Sequence, residues 1–129
     1  MWEFLESSPV IPITVVNTLA SDSRPPERSM LAVVDTGYSG LLLLPRSTFH
    51  ELGFDELRKD SSRARLANGA VVELTSSYGT VLIQDLGAEM DGQVQTCDGA
   101  EEVLIGMGGI RGLAVTIDAC TKTSYARRC

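Results

Sequence analysis

Apolar residues recur along this chain in short runs that carry the period of an extended backbone. Residues 10–16 alternate and are rich in β-branched side chains, which predicts a strand. Residues 17–29 are polar, contain Pro25-Pro26, and read as the loop joining that strand to the next apolar run at 30–34. The apolar pattern resumes at 41–44, after which Pro45 opens a short helix over 46–52 with Gly53 as its stop. Two further strands, 63–66 and 71–74, are separated by Ala67-Asn68-Gly69-Ala70; Asn-Gly between such runs predicts a hairpin, because both residues tolerate positive φ. A strand over 78–83, with Tyr78 packed in the core, and another over 93–96 after an Asp91-Gly92 turn continue the series. Residues 102–105 lead into a glycine-dense stretch at 106–112, 113–117 form a last strand, and 119–129 read as a loosely held tail. Many short strands with turn signals between them and little helix predict an all-β domain, a small barrel or sandwich.

Within this pattern one residue is out of character. Asp35 follows the apolar run Met30-Leu31-Ala32-Val33-Val34, opens the turn Asp35-Thr36-Gly37-Tyr38-Ser39-Gly40, and is followed by the apolar Leu41 to Leu44. Charged side chains are rarely delivered between two core strands without a partner or a task. A plainer reading exists, in which the carboxylate caps its own turn, as Asx residues often do.

At 129 residues the chain is one domain with room for a modest core. A net charge of −6 and no basic stripe argue against a nucleic-acid partner. No apolar stretch approaches the roughly 20 residues of a membrane span, and the start of the chain lacks the pattern of a secretory signal, so a cytoplasmic protein is expected. Cys97, Cys120 and Cys129 have no metal-ligand spacing and His50 is the only histidine, so neither a metal nor another cofactor is expected. Reduced thiols are the simpler reading, with a Cys120–Cys129 link open if the tail folds back. His50 itself reads as a solvated surface residue beside Glu51. The Gly106 to Gly112 run lacks the lysine of a phosphate-binding loop and the spacing of a dinucleotide fingerprint.

Two carboxylates about 3 Å apart share one proton, because like charges so close cannot both ionise; one then deprotonates a water while the other protonates a carbonyl oxygen. This chain has one such turn and no internal repeat, so a second carboxylate must come from a second copy across a two-fold axis. Thr36 offers a hydroxyl at that axis, Gly37 allows close backbone approach, and Ser39 is placed to donate to the carboxylate. Leu31, Val33, Leu41, Val72 and Ile110 are candidate lining residues of an apolar substrate tunnel.

The segments VVDTGYSG, LANGAVVEL and EVLIGMGGIRGLAVTID together resemble, in order and spacing, the retropepsin-like aspartic proteases, most closely the single-domain prokaryotic group of that clan. The resemblance spans about residues 10–118, with 1–9 as an N-terminal segment and 119–129 as the tail. It implies a small closed barrel of the retropepsin type with one or two short helices, active as a homodimer on peptide or protein substrates, with no nucleic acid and no membrane involved. It further implies that Asp35 is catalytic, that Thr36, Gly37 and Ser39 complete and support its loop, that Ala67, Asn68, Gly69 and Ala70 form the flap, and that Leu104, Ile105 and Gly106 pack beneath the loop. Viral members pair an arginine after the apolar-Gly element with a carboxylate after the catalytic loop. Here Met107, Gly108 and Gly40 occupy those places, so that pair cannot form, and Arg111 is the nearest substitute. Three readings follow: a homodimeric aspartic endopeptidase, a catalytically inactive module of the same fold that binds peptides or dimerises, or a monomeric structural β-domain with Asp35 facing solvent.

Overall fold

The computed structural model describes residues 1–20, 24–56, 60–65 and 69–129. In chain order the strands are β1 (Trp2–Glu3), β2 (Val10–Val16), β3 (Glu27–Val34), β4 (Leu42–Leu43), β5 (Asp60–Arg65), β6 (Val71–Ile83), β7 (Ala88–Thr96), β8 (Leu104–Ile105), β9 (Leu113–Asp118) and β10 (Thr123–Arg128). Helix α1 is Arg46–Glu51 and helix α2 is Met107–Ile110.

A seven-stranded sheet runs β2-β3-β8-β4-β7-β6-β5, and β2 also pairs with the end of β6, through Thr14–Leu82, Val15–Val81 and Val16–Thr80. The sheet thus returns on itself, but the expected closed barrel is uneven. Its β4 and β8 staves are two residues long, and β6 changes partner from β5 to β2 along its length. The reason β2 is apolar on both faces is now visible. It is enclosed by β3 and β6, and Val10, Ile11, Ile13, Val15 and Val16 are all buried.

The core gathers Ile11, Val15, Leu42, Leu44, Ile83, Val94 and Ile105 around Phe49 and Phe54, whose rings lie 5.5 Å apart in a tilted contact. Helix α1 forms where Pro45 and Gly53 bracket it; Gly53 takes φ +77°, the left-handed geometry that ends the helix. Buried Asn17 locks this helix to the barrel by donating from Nδ2 to the Leu52 carbonyl at 2.9 Å.

Three expectations are overturned. Asp91-Gly92 is not a turn but lies inside β7, opposite Thr80 and Gly79. The chain reverses earlier, at the 3-10 turn Gln84–Leu86 and the left-handed Gly87. Gly92 and Gly79 are in strands because their neighbours fill the missing side-chain space: a Cβ at Gly79 would lie 2.8 Å from Phe54, and one at Gly92 3.1 Å from Leu41. Tyr78 is exposed rather than buried, since its neighbours Ser77 and Gly79 take the inward face of β6.

The tail is not loose. Asp118 Oδ1 accepts the amides of Cys120 (3.0 Å) and Thr121 (3.1 Å), reversing the chain so that β10 pairs with β9 and, on its other side, with β1. Fully buried Ser124 donates to the Val10 carbonyl at 2.8 Å and fastens this three-stranded sheet to β2. Cys120 in the turn and Cys129 beyond β10 are therefore separated by a strand of roughly 20 Å, and a disulfide needs α-carbons within about 7 Å. All three cysteines are free thiols.

Candidate active site

Strand β8 inserts between β3 and β4, parallel to the first (Val33–Leu104, Val34–Ile105) and antiparallel to the second (Leu42–Ile105, Leu43–Leu104). The chain leaving β3 is held one residue further by the Asp35 amide, which donates to the Ile105 carbonyl at 3.0 Å. Asp35 is consequently the first residue beyond the sheet, half-buried at its rim. Its Oδ1 accepts the Gly37 amide at 2.9 Å and its carbonyl accepts the Tyr38 amide at 3.2 Å, an Asx-stabilised turn. Gly37, rather than the expected Ser39, is the donor to that carboxylate oxygen. Thr36, Gly37 and Ser39 are exposed on the outer side of the turn.

Beneath the turn lies the glycine-dense segment. The amide of Met107 donates to the Tyr38 carbonyl (2.8 Å), that of Gly108 to Ser39 (3.2 Å) and Gly40 (3.1 Å), and that of Gly106 to Leu41 (3.2 Å). These bonds require backbone to touch backbone. A Cβ on Gly106 would fall within 3.0 Å of the carbonyl oxygens of Gly40 and Tyr38, and one on Gly109 would lie 2.8 Å from the Leu41 oxygen. The expected segment Leu104, Ile105 and Gly106 is thus brought directly against the Asp35 loop. Arg111 is exposed and, among the described residues, the ion pairs are Arg28–Glu51, Arg46–Asp98 and His50–Asp55; neither Arg111 nor Asp35 belongs to them. His50 is exposed, as expected, but held by Asp55.

Over the loop stands the hairpin of β5 and β6, paired from Asp60–Ser76 to Arg65–Val71. Gly69, at φ +87°, and Ala70 lead into β6; Ala67 and Asn68 of the expected flap lie outside the described residues. Between hairpin and loop is a cleft of about 710 Å³, floored by Asp35, Gly37 and Tyr38 and walled by Leu43, Leu104, Val72, Leu74, Gln93, Gln95 and Cys97. Arg63 and Arg65 stand at its edge. The cleft of the single chain is of mixed polarity. Of Leu31, Val33, Leu41, Val72 and Ile110, only Val72 lines it: Leu41 and Ile110 are core residues, and Leu31 is exposed beside a separate cleft with Pro12 and Met30. Leu43, Leu104 and Cys97 also border an adjoining hollow rimmed by Asp98, Glu101 and Glu102.

Sequence reading missed the polar side chains of the cleft. Tyr38 folds back under its own loop, donating its hydroxyl to Gln95 Oε1 and lying 3.3 Å from the Leu42 carbonyl oxygen. Burial, and secondarily the neighbouring Cys97, pushes the Tyr38 hydroxyl far above its ordinary pKa, so it remains a protonated donor. The signal in the sequence was the pair of side-chain-free positions, Gly40 and Gly106, that make room for this ring.

No helix among the described residues is long and apolar enough to cross a membrane. No protein-family model matches the chain. It is 35% identical over 126 residues to an uncharacterized protein of Archaeoglobus fulgidus, with 98% of each chain covered. Among solved structures it is similar to EIAV protease complexed with the inhibitor HBY-793, at a TM-score of 0.56 and 18% identity over 83% of this chain and 88% of that one, a likeness of fold.

Proposed function

This chain belongs to one family with the Archaeoglobus fulgidus protein and has a retropepsin-like fold, and from that premise we propose that it is the subunit of a homodimeric aspartic endopeptidase. The observation that carries the reading is the seat of Asp35: a carboxylate at the rim of the sheet, outside every ion pair of the described residues, on the floor of a cleft covered by a hairpin. In the proposed dimer the Asp35 carboxylates of the two subunits share a proton beside the two-fold axis. The ionised one takes a proton from water as its oxygen attacks the peptide carbonyl carbon, and the protonated one gives its proton to the carbonyl oxygen. The tetrahedral intermediate then collapses: the carboxylate now ionised takes a hydroxyl proton from it, the C–N bond breaks, and the carboxyl that holds the water's proton gives it to the leaving nitrogen. Thr36 and Gly37, exposed beside Asp35, are the loop residues available to the axis. The β5–β6 hairpin acts as the flap, excluding water and pairing with an extended substrate main chain.

The test is hydrolysis of a peptide library by the purified dimer. Asp35→Asn should lower kcat by at least roughly a thousandfold while the dimer persists, since it removes the proton acceptor itself. Unchanged cleavage in that variant ends the proposal. A second reading, an inactive binding module of the same fold, is favoured by the terminal sheet β1-β10-β9, which is built within one chain and so does not itself draw two Asp35 side chains together. Asp35 carboxylates lying beyond hydrogen-bond reach of each other in the dimer would select it.

A further inference from the structure

Tyr38, Gln95 and Ser76 form a continuous hydrogen-bonded chain that the endopeptidase chemistry does not itself require. The Tyr38 hydroxyl donates to Gln95 Oε1, and Gln95 Nε2 donates to Ser76 Oγ at 2.9 Å. Gln95 and Ser76 face each other directly in the β6–β7 ladder, which fixes the second link by register. Both are buried, at 7% and 4% exposure, so neither finds water as a substitute partner. The first link is fixed by packing. A Cβ on Gly40 would fall within 3.0 Å of the Tyr38 ring and hydroxyl, and one on Gly106 would meet the same ring, so the phenol occupies the space that these two glycines leave open.

The chain begins and ends at functionally distinct places. Tyr38 closes the Asp35 turn through its amide, whereas Ser76 pairs with Asp60 at the root of the hairpin over the cleft. We propose that Tyr38 is a positioning residue which, through Gln95 and Ser76, holds the Asp35 loop in register with the root of the covering hairpin. This inference rests on the endopeptidase reading for its consequence in catalysis, but not for its geometry. The brace is built of neutral polar groups, two of them buried, so its strength depends little on salt.

The experiment compares Tyr38→Phe, which keeps the ring and removes only the hydroxyl, with Gln95→Leu and the double variant. Each single change should lower kcat roughly tenfold with a smaller change in KM, since the hydroxyl and amide removed are already bonded within the chain although both residues line the cleft. The double variant should be no worse than either single, because both cut one chain. Ser76→Ala, a milder change at the far end, should lower kcat in the same sense. Amide exchange at Tyr38 and Met107 should accelerate in Tyr38→Phe while that of Val15 and Val81 in the barrel core is unchanged. Wild-type kcat in Tyr38→Phe, roughly hundredfold additive loss in the double variant, or unaltered exchange at Tyr38 and Met107 overturns the brace. Should the wild-type protein cleave no peptide, the endopeptidase reading fails by itself, and the exchange data alone decide whether the brace exists.

Discussion

The loop that carries Asp35 and the hairpin above it are both turns in a β-protein, yet they are held by opposite means. The loop is clasped on its underside by amides of Gly106, Met107 and Gly108 and filled from within by Tyr38, so that backbone touches backbone and no atom can be added. The hairpin is held by its ladder: β5 pairs along one edge with β6, nearly all of its residues are exposed, and a Cβ on Gly69 would meet nothing within 4 Å. A floor built from glycine contacts sets position; a cover built from an exposed ladder leaves room for an occupant. The difference teaches that the intolerance of a site to substitution is greatest where its residues are smallest.

That contrast is open to measurement. The largest stability loss is expected at the floor: Gly106→Ala presses a methyl group against two carbonyl oxygens that are themselves hydrogen-bonded, and should cost about 3 kcal/mol in urea unfolding. Gly69→Ala, at φ +87° but in open space, should cost only about 1 kcal/mol and show its effect as faster amide exchange confined to β5 and the start of β6. If the two variants proved equally destabilising, the distinction between floor and cover would be wrong. Within the cover, Arg63 lies opposite Glu73, and Arg63→Glu should weaken the hairpin by roughly 0.5 kcal/mol through like charges across the ladder, with the loss diminished at high salt.

The smallest effect lies outside both regions and serves as a control. Hydrogen bonds from Thr121, and then from Cys120, hold the Asp118 carboxyl below the usual carboxylate range. A carboxyl depressed in the folded state contributes its stabilisation fully above the ordinary aspartate pKa, and loses it as pH falls through the lower folded value. On acidification, the Cys120 and Thr121 amide resonances should therefore shift with a midpoint below that of an ordinary aspartate, with no matching change at Gly69.

The parts of the fold legible in the sequence were those whose local chemistry leaves no alternative. Residues 10–16 announced β2 by β-branched alternation, Pro45 and Gly53 bracketed α1, and Asp35 stood out because its flanks were apolar. Illegible were the places where tertiary contact overrides a local preference. Gly92 resembled a turn residue because the side chain that excludes a Cβ there, Leu41, is remote in sequence. Residues 123–128 resembled a tail because Thr123-Ser124-Tyr125-Ala126-Arg127-Arg128 lacks apolar alternation; β10 is specified by the Asp118 turn and by Ser124 reaching Val10. Tyr38 was passed over because its partner Gln95 lies 57 positions away, and only the ladder of β6 and β7 brings Gln95 and Ser76 together.

The pairing of β10 with β1 in the same chain changes how such a subunit would assemble. Where two chains must exchange their ends to complete a sheet, folding and association are one event, and dilution melts the protein. Here one chain builds that sheet alone, so dilution of the proposed dimer should release folded single chains. Proteolysis by the proposed dimer would then be lost on dilution while the chains stay folded, the melting temperature falling only to that of the single chain, making abundance itself the switch.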